Sequence, residues 1–491
     1  MRTYFFLVFC ALSIAITCMA QKRLNLQDII DVAIEKSVSK QKAKNELSVK
    51  FWQYMDYQSK RLPALTLNMT PFQYNRNVVK RYISGSDRDE YRSQKSLYSY
   101  GNLRITQNVG FTGGTLYAIS ELSFLRTFGL NTFNQFSTIP FKIGYTQSLL
   151  GYNGFKWDKK IEPLKYETAK RKYHYTIETI AYTAAKLYFD LCLAKENLEL
   201  ALDQKEKSET LLRIGEILFN HESLTKANLL ALRLNRMEME DELSKCKNEF
   251  YKKKYKLSSY IGYNDSDSIE VKLPDNPPTI SILYKDALEE CRKNNPIYLE
   301  MKQNIISASK DLDKAKKERF FDINFDISIG NNQYSDTFKE AYRNLMRQEV
   351  ISVGVTIPLV DWGARNRRYR MAKDALETVR AEEELKIEEI EQDVYAAVNN
   401  YQLQQSVYDR ALEAFTLSRA LYAETLEKFK LGATSVKELR DAMTAIKESH
   451  RRYINALCGS WLSYMNVRKL SLYDFSENRS LTRKNELLVV Q

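Results

Sequence analysis

Residues 387–429, IEEIEQDVYAAVNNYQLQQSVYDRALEAFTLSRALYAETLEKF, place a large apolar side chain at every seventh position: Ile387, Val394, Tyr401, Tyr408, Phe415, Tyr422 and Phe429. Three residues after each comes a mostly slimmer one, Ile390, Ala397, Gln404, Ala411, Ser418 and Thr425. A partner helix can set its bulky row into the gaps these leave. Neither Gly nor Pro occurs between 364 and 431. The pattern predicts one unbroken helix over 364–429, roughly 100 Å long at about 1.5 Å per residue, a rod and not the helix of a globular core.

The same rod occurs earlier. Moving each seam position back by 210 gives Ile177, Ala184, Leu191, Leu198, Lys205, Leu212 and Phe219, with Ile180, Leu187, Ala194, Ala201, Ser208 and Gly215 as the slim row. Two heptad rows in phase at one offset indicate an internal duplication.

Outward from the rods the period changes from helix to strand. Leu65, Leu67 and Met69 alternate with Thr66, Asn68 and Thr70, and an offset of 258 finds Ile323, Phe325 and Ile327 alternating with Asn324, Asp326 and Ser328. A helix precedes each of these strands, over 24–60 and 281–317. A second strand precedes each rod: Phe141, Ile143 and Tyr145 against Lys142, Gly144 and Thr146, and Ile351, Val353 and Val355 against Ser352, Gly354 and Thr356. These are 210 apart, so the first half carries about 48 more residues between its strands. A polar loop at 78–94 and a β-like excursion over 98–125, with its turn at Gly113-Gly114, account for the surplus.

Each rod turns and returns. Gly432 serves as a left-handed stop and Ser435 as the cap of a return helix to about 470; Asn220 and Ser223 do the same for a return helix over 224–262. The organisation expected is a signal peptide at 1–20, a first repeat at 21–262, a linker at 263–280, a second repeat at 281–474 and a polar tail at 475–491.

The chain of 491 residues holds only 16 Gly and 9 Pro, which fits long uninterrupted elements, but 32 Tyr and 22 Phe, which fit a membrane interface. Its charge of +12 is spread among Glu-rich helix faces instead of gathered on one face, which argues against a nucleic-acid partner. Arg2, the apolar run 4–16 and the Cys18-Met19-Ala20 end read as a secretory signal; Ile16-Thr17 is a poor lipobox, so a lipid anchor at Cys18 is not expected. Cys192, Cys246, Cys291 and Cys458 sit far apart in helical patterns, as small buried hydrophobes and not as disulfides or metal ligands. No later run suits a transmembrane helix. His174, His221 and His450 are isolated, and no nucleophile, metal or cofactor motif appears, so no catalytic residue, metal or cofactor is expected.

Four strands with one apolar and one polar face suit a membrane barrel wall, yet four cannot close a barrel, so several chains would share one. Asp326 and Lys142 fall on the polar, lumen-facing side, and Phe325 and Val353 on the lipid side.

The order of elements, the duplication, the junctions GYTQSLLGYN (144–153) and GVTIPLVDWG (354–363), and the turn FKLGATSVKEL (429–439) resemble the TolC family of outer-membrane efflux ducts. The resemblance covers residues 24–472. It implies a mainly helical chain of long antiparallel hairpins forming an α-barrel, with four strands per chain building a 12-stranded barrel in a homotrimer. It implies location in the outer membrane, embedded in its lipid, with a periplasmic tunnel. The function implied is the exit duct of a tripartite efflux or type I secretion system, with a periplasmic adaptor and an inner-membrane pump of RND or ABC type as partners. Glu438 and Asp441 then ring the periplasmic entrance, and Phe429 matches an aromatic at that turn. The first turn reads as two residues shorter, with Lys226 and Leu229 in place of the acids. A periplasmic coiled-coil scaffold without a channel is the other reading; it explains the rods and leaves the strands idle.

Overall fold

The computed structural model describes residues 22–83, 85, 87–129, 132–221, 225–262, 269–274, 276–430 and 434–483. The expected signal peptide, Ser223 and Gly432 lie outside the described residues.

The duplication holds to the residue along every main helix. The rods are α3 (Gly154–Asn220) and α7 (Ala364–Lys430), 67 residues each; the return helices are α4 (Lys226–Ile261) and α8 (Val436–Ser471), 36 each. The helix expected over 24–60 is two, α1 (Leu26–Lys36) and α2 (Val38–Ser59), and its counterpart is α5 (Tyr284–Asn294) and α6 (Pro296–Lys317), again of equal lengths. The break falls at Ser37 and Asn295. Pro296 disfavours a helical residue before it, and the Asn295 and Ser37 side chains accept from the next helix's N–H groups.

The chain divides into two compact units, one holding residues 49–168 and 299–385 and the other holding 1–48, 169–298 and 386–491. In the first, β2 (Ala64–Ile83), β3 (Arg88–Val109), β4 (Gly114–Phe128), β5 (Phe133–Ser148), β7 (Asp322–Ser335) and β8 (Met346–Thr356) form one antiparallel sheet in that order. The expected count of four strands is corrected to six. The surplus between the two offsets is the extra pair β3 and β4: the excursion expected over 98–125 with its turn at Gly113-Gly114 is found as this hairpin, whereas the polar loop expected at 78–94 is strand on both sides of a short turn. The pair's alternation at Asn102-Leu103-Arg104-Ile105-Thr106 was present but offered no counterpart in the other repeat.

In the second unit the heptad row of α7 meets its own return helix. Tyr401 lies against Tyr464, Tyr408 and Phe415 against Tyr453, and Phe415 against His450, with ring centroids 4.6 to 6.0 Å apart. The core gathers Ile180, Ala184, Tyr188, Leu191, Val394, Tyr401 and Ile454, and Ile180, Ala194, Ala201 and Ser208 of the slim row of α3 are as buried as Val394, Tyr401 and Tyr408 of the bulky row of α7. Cys192, Cys291 and Cys458 are buried free thiols in that core, and burial pushes the Cys291 and Cys458 thiols up to about 12. They are inert apolar fillers, as expected, whereas Cys246 is only half-buried.

Two expectations about irregular segments are corrected. The linker contains β6 (Ile269–Val271), which pairs in parallel with β1 (Lys22–Leu24), and its later part is tied to α7: the Tyr401 hydroxyl donates to the Pro278 carbonyl at 2.9 Å and accepts from the Ile280 amide at 3.1 Å. The tail folds back as β9 (Tyr473–Asp474) and β10 (Arg479–Ser480). Buried Asp474 accepts from the Tyr464 hydroxyl at 2.8 Å and pairs at 3.3 Å with Arg468, which also binds Glu178 on α3 at 3.1 Å. Removing one member would leave a buried charge without its partner, so the cluster holds the tail in one register.

Candidate functional site

Pairing in the six-stranded sheet decides which side chains share a face, because paired residues point the same way and successive residues point apart. Leu65, Ile105, Ala118, Ile143 and Ile329 form one transverse row, and Leu116, Tyr145, Ile327 and Ile351 another. Phe325 pairs with Val353 on this face. Leu67 is 63% exposed and Val353 61%, so the chain alone presents a broad apolar surface.

The opposite face is polar. Lys142 pairs with Gly330 and Asp326 with Thr146, which places both expected residues on it. Asp326 accepts from the Tyr117 hydroxyl at 3.2 Å, and the Arg104 guanidinium lies 5.6 Å from the centre of the Tyr117 ring. Glu121 accepts from Tyr100 at 3.1 Å and from Asn102 at 3.4 Å. Arg104, Tyr117 and Glu121 escaped the sequence reading because they sit on the inserted strands. Tyr117 reaches Asp326 across Gly144, where a methyl group would fall well inside van der Waals contact with the phenol. Gly354, the residue aligned with it in the second repeat, has room for one.

The junctions carry the chain from sheet to rod by side-chain capping. Asp361 accepts from the Gly363 and Arg365 amides at 2.9 and 3.1 Å, with Trp362 and Gly363 both left-handed at φ 53° and 75°. Those amides hold the Asp361 carboxyl below its usual range. Asn153 does the equivalent for α3, accepting from the Lys156 amide at 3.1 Å.

At the tips, the expected shorter first turn is corrected. Both rods end and both return helices begin 210 residues apart, so the turns have equal length. Thr225 corresponds to Ser435, and both cap their helices. The residues matching Glu438 and Asp441 are therefore Asn228 and Ala231, not Lys226 and Leu229. Asn220 ends α3 as its last helical residue, not as a left-handed stop. Glu438 completes a capping box: its amide donates to the Ser435 hydroxyl at 3.2 Å, and its carboxylate accepts from the Ser435 amide and the Thr434 hydroxyl. Those bonds, led by Thr434, hold its carboxyl below the usual range. Asp441 is exposed one turn on. Phe429 is buried against Leu211, Leu232, Leu439 and Met443, so it is the core of the tip and not a lining group.

Among the described residues no cluster of His, Cys, Asp or Glu has the arrangement of a metal site, and no helix is long and apolar enough to cross a membrane.

The family model described as outer membrane efflux protein matches residues 287–463. None of the curated proteins matches in sequence. Among solved structures, a membrane protein from Pseudomonas aeruginosa is similar at a TM-score of 0.65 and 14% identity, over 94% of this chain and 92% of that one. The CmeC outer membrane channel of Campylobacter jejuni gives 0.61 at 14% identity over 92% and 88%, and the outer membrane protein VceC of Vibrio cholerae 0.61 at 13% over 91% and 95%. Residues 287–463 thus resemble the outer membrane efflux protein family, and the chain over nearly its whole length shares its fold with the CmeC and VceC structures.

Proposed function

We propose that this protein is an outer-membrane channel, the exit duct of an efflux or secretion system that works with a periplasmic adaptor and an inner-membrane pump. The observation that carries the reading is the two-faced sheet with two free edges. Its apolar rows are too large to stand in water, and only a closed barrel satisfies strand edges in lipid. A periplasmic scaffold would leave both features unexplained.

Six is an even number, so β2 and β8 run in opposite directions and the β8 of one copy can pair antiparallel with the β2 of the next. Three copies of the six-stranded sheet then close a barrel of 18 strands in place of the 12 first expected, a size that leaves an aqueous lumen. The polar face carrying Asp326, Lys142 and Glu121 lines that lumen.

In the same reading the second tip forms the inner opening. Glu438 is engaged in its cap, so Asp441 is the carboxylate better placed to present charge to the axis. Three symmetric copies would favour cations there. In planar bilayers the purified protein is expected to conduct as a trimer, to prefer cations and to be blocked by multivalent cations from the periplasmic side. Asp441→Ala relieves the block more than Glu438→Ala. Recovery as a soluble monomer would defeat the channel reading, and unchanged block in the double variant would remove these acids from the entrance.

A further inference from the structure

At the helix-side rim of the sheet, a cavity of about 470 Å³ lies among the end of α2, the start of α3 and the turn joining β3 to β4. Lys60, Arg61, Lys156 and Lys159 line it together with Tyr57 and Phe111, and no carboxylate does. The acids nearby are already matched: Asp56 with Lys60 at 2.6 Å, Asp158 with Lys310 at 2.8 Å and Glu162 with Lys165 at 2.8 Å. Arg61, Lys156 and Lys159 form no ion pair among the described residues. Three such cations gathered around one cavity repel each other until an anion joins them.

The turn is built, not slack. Gly113 is left-handed at φ 82°, Asn153 donates to the Gly110 and Phe111 carbonyls at 3.2 and 3.3 Å, and Gln147 donates to the Thr112 carbonyl at 3.1 Å. This fixed turn holds the Phe111 ring 95% exposed beside the cations. Cations around a cavity with a projecting aromatic at a membrane rim suit an amphiphile whose head is a phosphate and whose chains meet the ring. The turn belongs to the strand pair that only the first repeat contains.

We infer that this cavity binds a phosphate anion carried on a lipid, the headgroup of a phospholipid in the membrane leaflet at that rim. The inference rests on the sheet spanning a membrane, but its test needs no conduction. The full-length protein in neutral detergent is titrated with phosphatidylglycerol, read by native mass spectrometry, and separately with inorganic phosphate, read by calorimetry. The parent is expected to retain the lipid, and Arg61→Gln/Lys156→Gln/Lys159→Gln to bind it on the order of a hundredfold more weakly, about fivefold per charge. Phe111→Ser weakens lipid binding and leaves phosphate binding unchanged. Equal lipid retention by the triple variant and the parent overturns the site. Inorganic phosphate that displaces the lipid at equal concentration, with Phe111→Ser having no effect, overturns the lipid as its source. All four side chains project from surface positions, and circular dichroism of each variant confirms that the fold is kept.

Discussion

The α-helices of the two repeats match in length one for one, while their strands in the six-stranded sheet do not: four in the first, two in the second. The difference shows which part of a duplicated chain is free to diverge. A rod that lengthened by a few residues would rotate its heptad row off its partner, since each residue turns the helix by about 100°. A sheet can accept an added hairpin, provided the number of added strands is even, because the following helix then still leaves from the same end. The insertion also keeps the faces in phase: Leu65 pairs with Ile105, and through Ala118 reaches Ile143 on the same apolar side.

The largest effect is expected from a change in the parity of the strands. Removing residues 114–131 takes out one strand and should abolish assembly, whereas removing 84–131 restores the second repeat's pattern, lets β2 pair with β5, and should leave a trimer in the outer membrane. Heat-modifiable mobility of membrane fractions tells the two apart, and equal loss in both would mean the inserted pair is needed for folding.

Next in size is the choice of face. An Arg facing lipid near the midplane costs about 2–4 kcal/mol, so Phe325→Arg should reduce assembled protein far more than Asp326→Arg on the next position of the same strand. Equal yields would place the strand in another register.

The aligned glycines Gly144 and Gly354 differ in the space around them. Gly144→Ala must displace Tyr117 from Asp326 and should cost about 1–3 kcal/mol in urea unfolding, while Gly354→Ala should be close to neutral. If both are neutral, the Tyr117 ring is free to move.

A smaller effect separates the tips by pH. His450 packs on Phe415 in the second hairpin, and burial lowers its pKa from 6.5. The unfolded chain then takes up this proton at a higher pH than the folded one. The packing is fully effective above the unfolded value and weakens as pH falls through the folded one. Protection of the amides in residues 436–456, with exchange corrected for its intrinsic pH dependence, should fall as pH drops below about 6.5. His450→Phe should flatten that response, and an unchanged response would assign it to other groups.

The periodicity of residues 387–429 was enough to reveal the rods, their duplication and the return helices, because a heptad row is a local pattern and its burial partner lies on the next helix of the same hairpin. The faces of the strands at Asp326 and Lys142 were legible for a similar reason: alternation along one strand needs no neighbour to be read. Strand number was not, since β3 and β4 have no counterpart in the other repeat and their alternation is broken by Gly101 and a bulge near Ser120. Nor were the roles of Phe429 and Glu438. An aromatic and an acid beside a turn look alike whether they line an opening, fill a core or cap a helix, and only the packing of Leu211, Leu232 and Met443 around one and the Ser435 amide against the other decided between them.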